Sequence, residues 1–418
     1  MILRRGYRYK LRPTEDQEQL LQAFAGHARF LWNKVVRLNQ TRLSQGLPII
    51  WYQEADYWSK QWKRSDEYGF LKELPAHCVQ QKLRDLDKAY TDGFDRTQPN
   101  KRLPVLKKRG VGDSFRFPEP KQITLSGNRI KLPKLGWIRF FDSRPIEGAI
   151  KNVTVTRQAD GWYISIQTER ELNSAVHPAV SMVGIDRGVV NFAALSNGML
   201  IRPLNSFGRY QKQLARLQRR LAKKVRFSAN WKKLKQKISQ LHHKIACCRQ
   251  DFLHKLTTTL SKNHACIVLE ALQIKNMTGS AKGTLEHPGQ QVKQKRGLNR
   301  SILDQGWGLF ATMLSYKLAE RGGWLLEVPP AGTSQTCPVC KYRSPENRQT
   351  QAHFECQRCG LTGPADVIAG INIEAAGQAL LGSVPSAEGA VTVCGETGLP
   401  ASVKQKPVES RETAPLLT

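Results

Sequence analysis

The pattern of apolar and polar positions divides the first half of the 418-residue chain into three segments. Tyr7 to Leu11 alternate as in an edge strand. Apolar residues then recur at helical spacing as far as about Phe94, and Thr14 with Gln17 forms a capping box where the first helix begins. From Ser114 to Glu169 the period falls to two. The pattern therefore predicts a helical segment inserted into a small β-barrel or sandwich.

The strands predicted in the third segment are short and closely spaced, with a hairpin turn at Asp160-Gly161. They cover residues 114–117, 129–132, 137–141, 150–157 and 162–168. Residues 97–112 connect the helices to these strands and are rich in turn formers and basic residues. A solvated linker explains this connector, and phosphate contacts through Lys107 and Lys108 explain it equally well.

In the second half, short apolar runs alternate with helical patterns. Val183 to Asp186 is the first run, followed by an apolar stretch to Leu195 and a turn at Asn197-Gly198. Ala265 to Glu270 and Trp324 to Val328 are further buried strands. Helices are predicted over residues 206–260, with a break at 227–230, over 303–321, and from Asp366 onward. Residues 276–300 are predicted to form a mobile basic loop, and residues 383–418 a disordered tail.

The charge of the chain indicates which kinds of partner the protein binds. The formal net charge is +31 at pH 7, which attracts polyanions, with nucleic acid as the first candidate and an anionic membrane surface as the rival. The sequence has no run of about 18 apolar residues and no secretory signal at its start. We therefore expect a cytoplasmic protein without a membrane partner.

The helical pattern at 206–260 carries this charge in concentrated form. No Asp or Glu occurs between Asp186 and Asp251. An ordinary solvated helix mixes both signs, whereas a helix of one sign repels itself and requires an external anion. We therefore predict a nucleic-acid-binding face that includes Arg209, Lys212, Arg216, Arg219, Arg220, Lys223, Lys224, Lys232 and Lys233.

Four of the nine cysteines are clustered. Cys337 and Cys340 form one pair, Cys356 and Cys359 the other, and this spacing matches a zinc ribbon. Four thiolates close the coordination sphere, so the predicted Zn²⁺ is structural. Its binding contributes on the order of 10 kcal/mol to folding in comparable peptides.

Three carboxylates follow the predicted elements in a suggestive order. Taken alone, Asp186 is explained by a strand-end turn and Asp366 by an N-terminal helix cap. With Glu270 they lie at two strand ends and one helix start, positions from which they can converge. Converging carboxylates repel one another unless cations lie between them, and two Mg²⁺ ions suit an oxygen ligand set.

The motifs around these residues resemble those of TnpB, a family of transposon-encoded, RNA-guided nucleases related to the type V CRISPR effectors. The matching motifs are Gly184-Ile185-Asp186-Arg187-Gly188, Ile267-Val268-Leu269-Glu270, Thr333-Ser334-Gln335-Thr336-Cys337-Pro338-Val339-Cys340 and Ala365-Asp366 before Ala369-Gly370-Ile371-Asn372-Ile373. The resemblance covers roughly residues 1–380.

The resemblance implies a multidomain α+β fold. A β-barrel wedge domain (1–12 and 113–175) would carry a helical recognition insertion (13–112). An RNase H-like RuvC domain (176–330 and 362–382) would be interrupted by a zinc ribbon that binds the target nucleic acid (331–361).

The resemblance also implies an activity. An ωRNA guide would pair with a target strand in double-stranded DNA beside a short motif that the protein reads, and Asp186, Glu270 and Asp366 would hold two Mg²⁺ ions for cutting. No protein oligomer is implied. One position departs from the family pattern: Ile368 stands where an asparagine is usual, which removes a hydrogen bond near Asp366.

Two other functions are considered. An RNA-guided DNA-binding repressor would lack cleavage, and loss of a carboxylate would be its signature, whereas all three carboxylates are present here. A DNA-strand transferase would share the carboxylates, but the zinc ribbon and the last helix favour the nuclease.

Overall fold

The computed structural model describes residues 2–171, 176–284 and 286–382. The chain divides into two compact units, Met1–Leu172 and Asn173–Thr418. The finer division into wedge, insertion, RuvC and ribbon segments stays a prediction at this point. The predicted disordered tail at 383–418 lies outside the described residues.

The N-terminal unit is a seven-stranded sheet with helices inserted after its first strand, as the sequence pattern predicts. In chain order its elements are β1 (Ile2–Arg12), α1 (Glu15–Ser44), α2 (Tyr52–Arg64), α3 (Ala76–Phe94), β2 (Ser114–Phe117), β3 (Thr124–Ser126), β4 (Arg129–Leu132), β5 (Gly136–Phe140), β6 (Ala149–Gln158) and β7 (Gly161–Glu171).

The sheet has the order β2-β6-β7-β1-β5-β4-β3. Strand β1 joins the half formed by β2, β6 and β7 to the half formed by β5, β4 and β3. Its residues 2–10 pair with β7 and its residues 11–12 pair with β5. The hairpin between β6 and β7 lies one residue earlier than predicted: Gln158 pairs with Gly161, so Ala159 and Asp160 form the turn. Sharing β1 makes the two halves of the sheet one structure.

Helix α1 begins with the predicted capping box. The Thr14 side chain accepts a hydrogen bond from the Gln17 amide, and the Gln17 side chain accepts one from the Thr14 amide. One face of the helix, including Leu21, Phe24 and Leu31, is fully buried in the core of the unit. Burying each such side chain contributes about 1.5–3 kcal/mol.

The C-terminal unit is built on a five-stranded sheet of mixed direction. Its elements are β8 (Met182–Asp186), β9 (Ala193–Leu195), β10 (Leu200–Ile201), α4 (Ser206–Ala222), α5 (Ala229–Asn263), β11 (Cys266–Glu270), α6 (Ile274–Met277), α7 (Val292–Gln305), α8 (Trp307–Ala319), β12 (Trp324–Val328), β13 (His353–Glu355), β14 (Thr362–Pro364) and α9 (Ala365–Gly382). In the part of the chain that the structure describes, no helix is long and apolar enough to cross a membrane.

The sheet has the order β10-β9-β8-β11-β12. Strands β8, β11 and β12 are parallel, while β9 runs antiparallel to β8 and to β10. Because β8 and β11 are parallel neighbours, their carboxyl ends lie at the same edge of the sheet. Asp186 ends β8 and Glu270 ends β11, so the topology brings these two residues together.

Helix α9 packs closely against this sheet because glycines remove the intervening side chains. A Cβ atom at Gly184 would overlap the Gly370 carbonyl oxygen and the Glu374 amide, and one at Gly377 would overlap Val268. Such close approach of backbones is a position that only glycine fits. It brings the N-terminal turn of α9, which carries Asp366, to the sheet.

The prediction for residues 276–321 is wrong in part. Val292–Gln305 is a helix rather than a mobile loop, and Gly306, at φ 72°, separates it from α8. The predicted single helix from residue 303 therefore begins at Trp307 instead. Only Ile302 and Gln305 of α7 are buried, so the helix has no apolar stripe from which it could be recognised.

The start of α4 is capped by another helix. Asn205 has a left-handed backbone and its side chain makes no cap hydrogen bond. The Asp304 carboxylate of α7 instead accepts hydrogen bonds from Ser206 Oγ at 2.8 Å and from the Phe207 amide at 2.9 Å. A carboxylate there pairs the free amides and opposes the positive end of the helix dipole.

We predict that Asp304→Ala loosens the attachment of α4. Losing a cap lowers the free energy of unfolding by about 1–2 kcal/mol, and the amides of residues 206–208 should exchange with solvent markedly faster. Hydrogen–deuterium exchange with mass spectrometry measures both effects. Asp251→Ala, which removes a largely exposed partner of Lys255, is the matched control and should change neither. Equal exchange in the two variants would contradict the capping role.

Candidate functional site

Asp186 is the last residue of β8 and lies half-buried at the edge of the sheet. Burial, followed by the neighbouring Glu270 and Asp366 carboxylates, raises the pKa of Asp186 to about 7. Arg348 opposes this shift. The two carboxylates add to the effect of burial, because like charges disfavour ionisation. Asp186 and Glu270 lie at the ends of the parallel neighbours β8 and β11, and Asp366 lies in the first turn of the helix packed on that sheet. The three acidic residues are therefore candidates for one site.

Glu270 is buried at the end of β11 and is oriented by the segment that leads into the cysteine cluster. Thr333 Oγ1 donates a hydrogen bond of 2.6 Å to Glu270 Oε1. The Asn372 side chain of α9 donates in turn to the carbonyl oxygens of Thr333 at 2.8 Å and Thr336 at 2.6 Å. The two motif residues Thr333 and Asn372 thus position Glu270.

Asp366 lies in the first turn of α9, and its two oxygens have different partners. Asn191, in the loop between β8 and β9, donates to Oδ2 at 3.0 Å. Arg348, which precedes β13, lies 3.4 Å from Oδ1 and also donates to the Gln351 carbonyl oxygen at 3.0 Å. These two donors fix the direction of the carboxylate.

Arg187 places a buried cation directly beside the three acids. Its guanidinium donates a hydrogen bond to the main-chain carbonyl oxygen of Glu270. Burial lowers the pKa of Arg187, while Glu270, Glu327 and Asp186 oppose that change. Its Nε atom is buried with no hydrogen-bond partner among the described residues. One side of the site is therefore stabilised by a fixed positive charge.

The donor set at this site suits hard divalent cations. Three carboxylates supply the oxygen ligands that Mg²⁺ prefers, and a cation between them would relieve the repulsion that raises the pKa of Asp186. Among the described residues, only the four cysteines bring three or more ligand atoms within 4.8 Å of one another. The carboxylates are therefore spread more widely than the ligands of one tightly held ion.

The four predicted zinc ligands form the tightest cluster of ligand atoms. Cys337 and Cys359 have their sulfur atoms 3.6 Å apart, and Cys340 and Cys356 have theirs 3.5 Å apart. Zn–S bonds of about 2.3 Å in a tetrahedron place the sulfurs about 3.8 Å apart. The spacing therefore matches a zinc site.

The ionisation of these thiols also fits a bound cation. Burial acts to raise the pKa of the Cys356 thiol, but the amides of Cys359 and Arg358 outweigh it and lower this pKa to about 6. The Leu361 amide favours ionisation of Cys359, yet burial and the three neighbouring thiols raise its pKa to about 12. One thiolate forms readily, and the next requires a cation to offset the first.

The cysteine cluster and α9 share an apolar core. Cys337, Phe354 and Cys356 pack with Ala365 and Ile368 in one buried cluster. Ile368, which departs from the family pattern, is buried in this cluster and 6% exposed. The residue thus fastens the cysteine-bearing segment to the helix that carries Asp366.

The predicted nucleic-acid face lies on a helical hairpin formed by α4 and α5. Leu214, Leu217, Leu234, Leu241 and Ile245 form its buried seam. The predicted basic residues are all exposed, and none has a carboxylate partner within the described part of the chain. These residues are Arg209, Lys212, Arg216, Arg219, Arg220, Lys223, Lys224, Lys232 and Lys233.

The structure distinguishes the two lysines predicted in the N-terminal connector. Lys108 is exposed, whereas the Lys107 ammonium lies 3.7 Å from the centre of the Trp32 ring. Burial, followed by the nearby Lys82, lowers the pKa of Lys107 to about 8. Lys107 therefore makes an intramolecular cation–π contact, and its predicted phosphate contact stays a prediction.

Sequence reasoning missed several side chains that contact the carboxylates. Asn191 and Arg348 lie in irregular segments, and no spacing relates them to Asp366. Arg187 and Thr333 fall within motifs that are quoted above, but their individual contacts are tertiary. The only sequence signal for Arg187 is that an arginine directly follows the first carboxylate.

We predict that Asp186→Asn stabilises the protein in magnesium-free buffer. The folded pKa of about 7 exceeds the ordinary value of about 3.9. The native state therefore binds the proton more tightly, and stability falls as pH rises between these values. The difference of about three pKa units corresponds to roughly 4 kcal/mol at most.

Thermal unfolding from pH 5 to pH 8 measures this effect. The advantage of Asp186→Asn over the wild type should be about a third of its full size at pH 5 and should grow toward pH 8. Asp251→Asn, at an exposed position, should follow the wild type at every pH. A constant difference between variant and wild type would refute the coupling among the carboxylates.

We predict that the purified protein contains about one zinc ion per chain and that Cys356→Ser removes it. Residues 331–364 should then become sensitive to protease, because metal binding supplies much of the folding free energy of such a segment. Elemental analysis and limited proteolysis measure the two effects. Cys247→Ser changes an exposed thiol outside the cluster and should retain the zinc. Zinc-free native protein would refute the assignment.

Three family models match parts of the chain. Residues 164–281 match OrfB_IS605, described as "Probable transposase", and residues 307–373 match the Cas12f1-like TNB domain. Residues 1–47 match a model described as a helix-turn-helix domain. In the structure that last region consists of β1 and the single long helix α1, so its geometry differs from the description.

Relatives match nearly the whole chain. "Putative RNA-guided DNA endonuclease InsQ" of Escherichia coli (strain K12) is 46% identical over 97% of both chains. A "Putative RNA-guided DNA endonuclease" of Streptomyces pristinaespiralis is 30% identical over 90% of both. A cryo-EM structure of a Cas12f1–sgRNA–target DNA complex aligns with a TM-score of 0.48 at 14% identity, over 86% of this chain and 83% of the other. The chain belongs to the TnpB family, the transposon-encoded OrfB proteins of IS605-type elements.

Proposed function

We propose that the protein is an RNA-guided DNA endonuclease of a transposon. It would bind an ωRNA guide and cut double-stranded DNA beside a short motif, by hydrolysis of phosphodiester bonds. The observation that carries this proposal is the placement of Asp186 and Glu270 at the carboxyl ends of the parallel neighbours β8 and β11, with Asp366 in the first turn of the helix that packs on that sheet. The relative named as an RNA-guided DNA endonuclease, which matches along nearly the whole chain, supports it.

The topology supports assigning the C-terminal unit to the RNase H-like, RuvC class. Its central β8 pairs with antiparallel β9 on one side and parallel β11 on the other. Asp186, Glu270 and Asp366 then stand at the ends of β8 and β11 and at the start of α9. Likewise, a sheet with helices inserted after β1 supports a wedge domain with a recognition insertion. The segment around the four cysteines is proposed as a zinc ribbon.

Asp186, Glu270 and Asp366 would hold the Mg²⁺ ions. When bound, such ions activate a water molecule and stabilise the leaving oxygen in phosphodiester hydrolysis. The residues of the chain provide the setting for this chemistry. Thr333 orients Glu270, Asn191 and Arg348 orient Asp366, and Arg187 offsets part of the negative charge. The Glu270 and Asp366 carboxylates are therefore held in one direction before any cation arrives.

The basic hairpin of α4 and α5 is proposed as a surface for the guide and its heteroduplex. The nine exposed cations named above have no carboxylate partner among the described residues, so phosphates would supply the missing negative charge. Binding of this kind depends on the backbone rather than the sequence. Base pairing by the guide would then supply sequence specificity, and the protein would read only the short adjacent motif.

We predict that Asp186→Ala, Glu270→Ala and Asp366→Ala each lower cutting of motif-flanked DNA at least about 1,000-fold, because each removes transition-state stabilisation. Sequencing the RNA that copurifies with the protein supplies the guide. Cleavage of matched DNA in Mg²⁺ is then compared with filter binding of the same complex. Each variant should still bind DNA, and Asp251→Asn should cut as the wild type does.

Other outcomes would favour other functions. Guided binding without nicking in either Mg²⁺ or Mn²⁺ would indicate a repressor. Strand joining in the absence of guide RNA would indicate a strand transferase. Unimpaired cutting by Asp186→Ala would refute the assignment of the site while leaving the class of enzyme intact.

A further inference from the structure

A groove with a volume of about 540 Å³ runs along α1 in the N-terminal unit. One stripe of α1, beside its buried face, forms the floor, and the residues that follow α2 form a wall. We call it the α1 groove, lined by Gly26, Arg29, Phe30, Asn33, Lys34, Arg37, Leu38, Glu67 and Tyr68. Its volume falls within the usual range for small-molecule sites.

The groove carries uncompensated positive charge. Arg29 is paired with Asp113 at 2.7 Å. Lys34 and Arg37, in contrast, have no carboxylate partner among the described residues. Glu67 is the only acidic residue in the lining. A groove with two cations that lack a carboxylate partner, in a chain of net charge +31, attracts a ligand that carries phosphate or a similar anion.

Aromatic rings lie directly beside these cations. The Lys34 ammonium is 3.8 Å from the centre of the Tyr68 ring and 5.0 Å from that of Trp62. Phe30 and Tyr68 approach each other with ring centres 5.5 Å apart, and Phe70 packs edge-on against Phe30 at 5.2 Å. A phosphate drawn to Lys34 would therefore carry an attached aromatic group to the rings of Phe30 and Tyr68.

The floor of the groove is held in place from behind. Asn33 donates to the Lys107 carbonyl oxygen at 3.0 Å and accepts from the Lys107 amide at 2.7 Å. Trp32 Nε1 donates to the Val105 carbonyl oxygen at 3.0 Å. These contacts fasten the connector to α1, so a ligand would meet a preformed site and lose less free energy in ordering it.

We propose that the α1 groove binds one nucleotide of a single-stranded nucleic acid. Lys34 and Arg37 contact the phosphate, and Phe30 and Tyr68 contact the base. A nucleotide matches both features, since an acidic peptide would use the cations but leave the rings unexplained. Stacking on aromatic side chains and phosphate contacts are the two ways in which proteins bind single strands. This site adds to the proposed function and does not require cleavage.

Photocrosslinking tests the position of the base. The probes are single strands of about 12 nucleotides, one of RNA carrying 5-iodouridine and one of DNA carrying 5-iododeoxyuridine. They are irradiated with the full-length Asp186→Asn protein, and the adducts are located by mass spectrometry. We expect an adduct at Phe30 or Tyr68, and the strand that forms it identifies the bound nucleic acid. Adducts found exclusively outside the groove would overturn the proposal.

Equilibrium binding measurements distinguish the contribution of the Tyr68 ring from that of the two cations, Lys34 and Arg37. Tyr68→Ala should weaken binding of the same strand about five- to tenfold while leaving the salt dependence unchanged. Lys34→Gln with Arg37→Gln removes both contacts to the one proposed phosphate and should instead reduce the slope of log K against log salt by about 0.7. Tyr68→Phe retains the ring and should bind as the wild type does.

Matched controls guard against general effects of charge or folding. Tyr57→Ala removes an exposed ring outside the groove, and Arg64→Gln removes an exposed cation at the end of α2. The proposal would be overturned if Tyr57→Ala and Tyr68→Ala weakened binding equally. It would also be overturned if Arg64→Gln changed the slope of log K against log salt as much, per charge removed, as Lys34→Gln with Arg37→Gln. Circular dichroism identifies any variant that fails to fold. If Tyr68→Ala does not fold, the proposal is tested by comparing Tyr68→Phe with the variant that carries both Lys34→Gln and Arg37→Gln.

The position of the crosslinked adduct also tests this proposal separately from the proposed nuclease activity. Guided cutting by the wild type without a groove adduct overturns the groove alone. A groove adduct in a protein that never cuts upholds the groove and refutes the nuclease.

Discussion

Three carboxylates at one edge of a five-stranded sheet repel one another, and partial burial strengthens that repulsion because the surrounding dielectric constant is low. Burial, followed by the Glu270 and Asp366 carboxylates, raises the pKa of Asp186 to about 7. Left alone, the carboxylates would turn toward water. The structure prevents this by giving Glu270 a hydroxyl donor and Asp366 an amide and a guanidinium. Much of the C-terminal unit can be understood as the support for these three side chains.

That support comes from segments distant in the sequence. Glycines at 184, 370 and 377 let α9 lie against β8, β9 and β11. Ile368 joins the same helix to the cysteine cluster, and Asn372 holds the segment that contains Thr333. The four-cysteine cluster, the segment that contains Thr333 and the third carboxylate thus all depend on the same helix. Loss of order in the cysteine segment would consequently reach both Glu270 and Asp366.

Sequence patterns predicted what depends on local residues. The strands 114–117, 129–132 and 324–328 have the predicted bounds, because alternating or apolar runs limited by turn residues determine them. Helix α7 was missed because its buried positions are too few to form a stripe. The partners of Asp366 could not be predicted, since Asn191 and Arg348 meet it only after the chain folds. The packing of Lys107 on Trp32 was also not predicted. The sequence shows the charge of this residue but not its tertiary contact.

The pairing of β1 with β7 has a consequence for the order of folding. Ile2 lies opposite Glu171, so the first strand to be synthesised pairs with the last strand of its unit. Contacts so distant in the sequence close slowly, and at about 5–20 residues per second the ribosome needs roughly ten to thirty seconds to deliver the partner. During that interval the helices of residues 15–94 emerge and can pack together, while β1 remains an unpaired edge. Completion of the N-terminal unit is therefore timed by translation of β7.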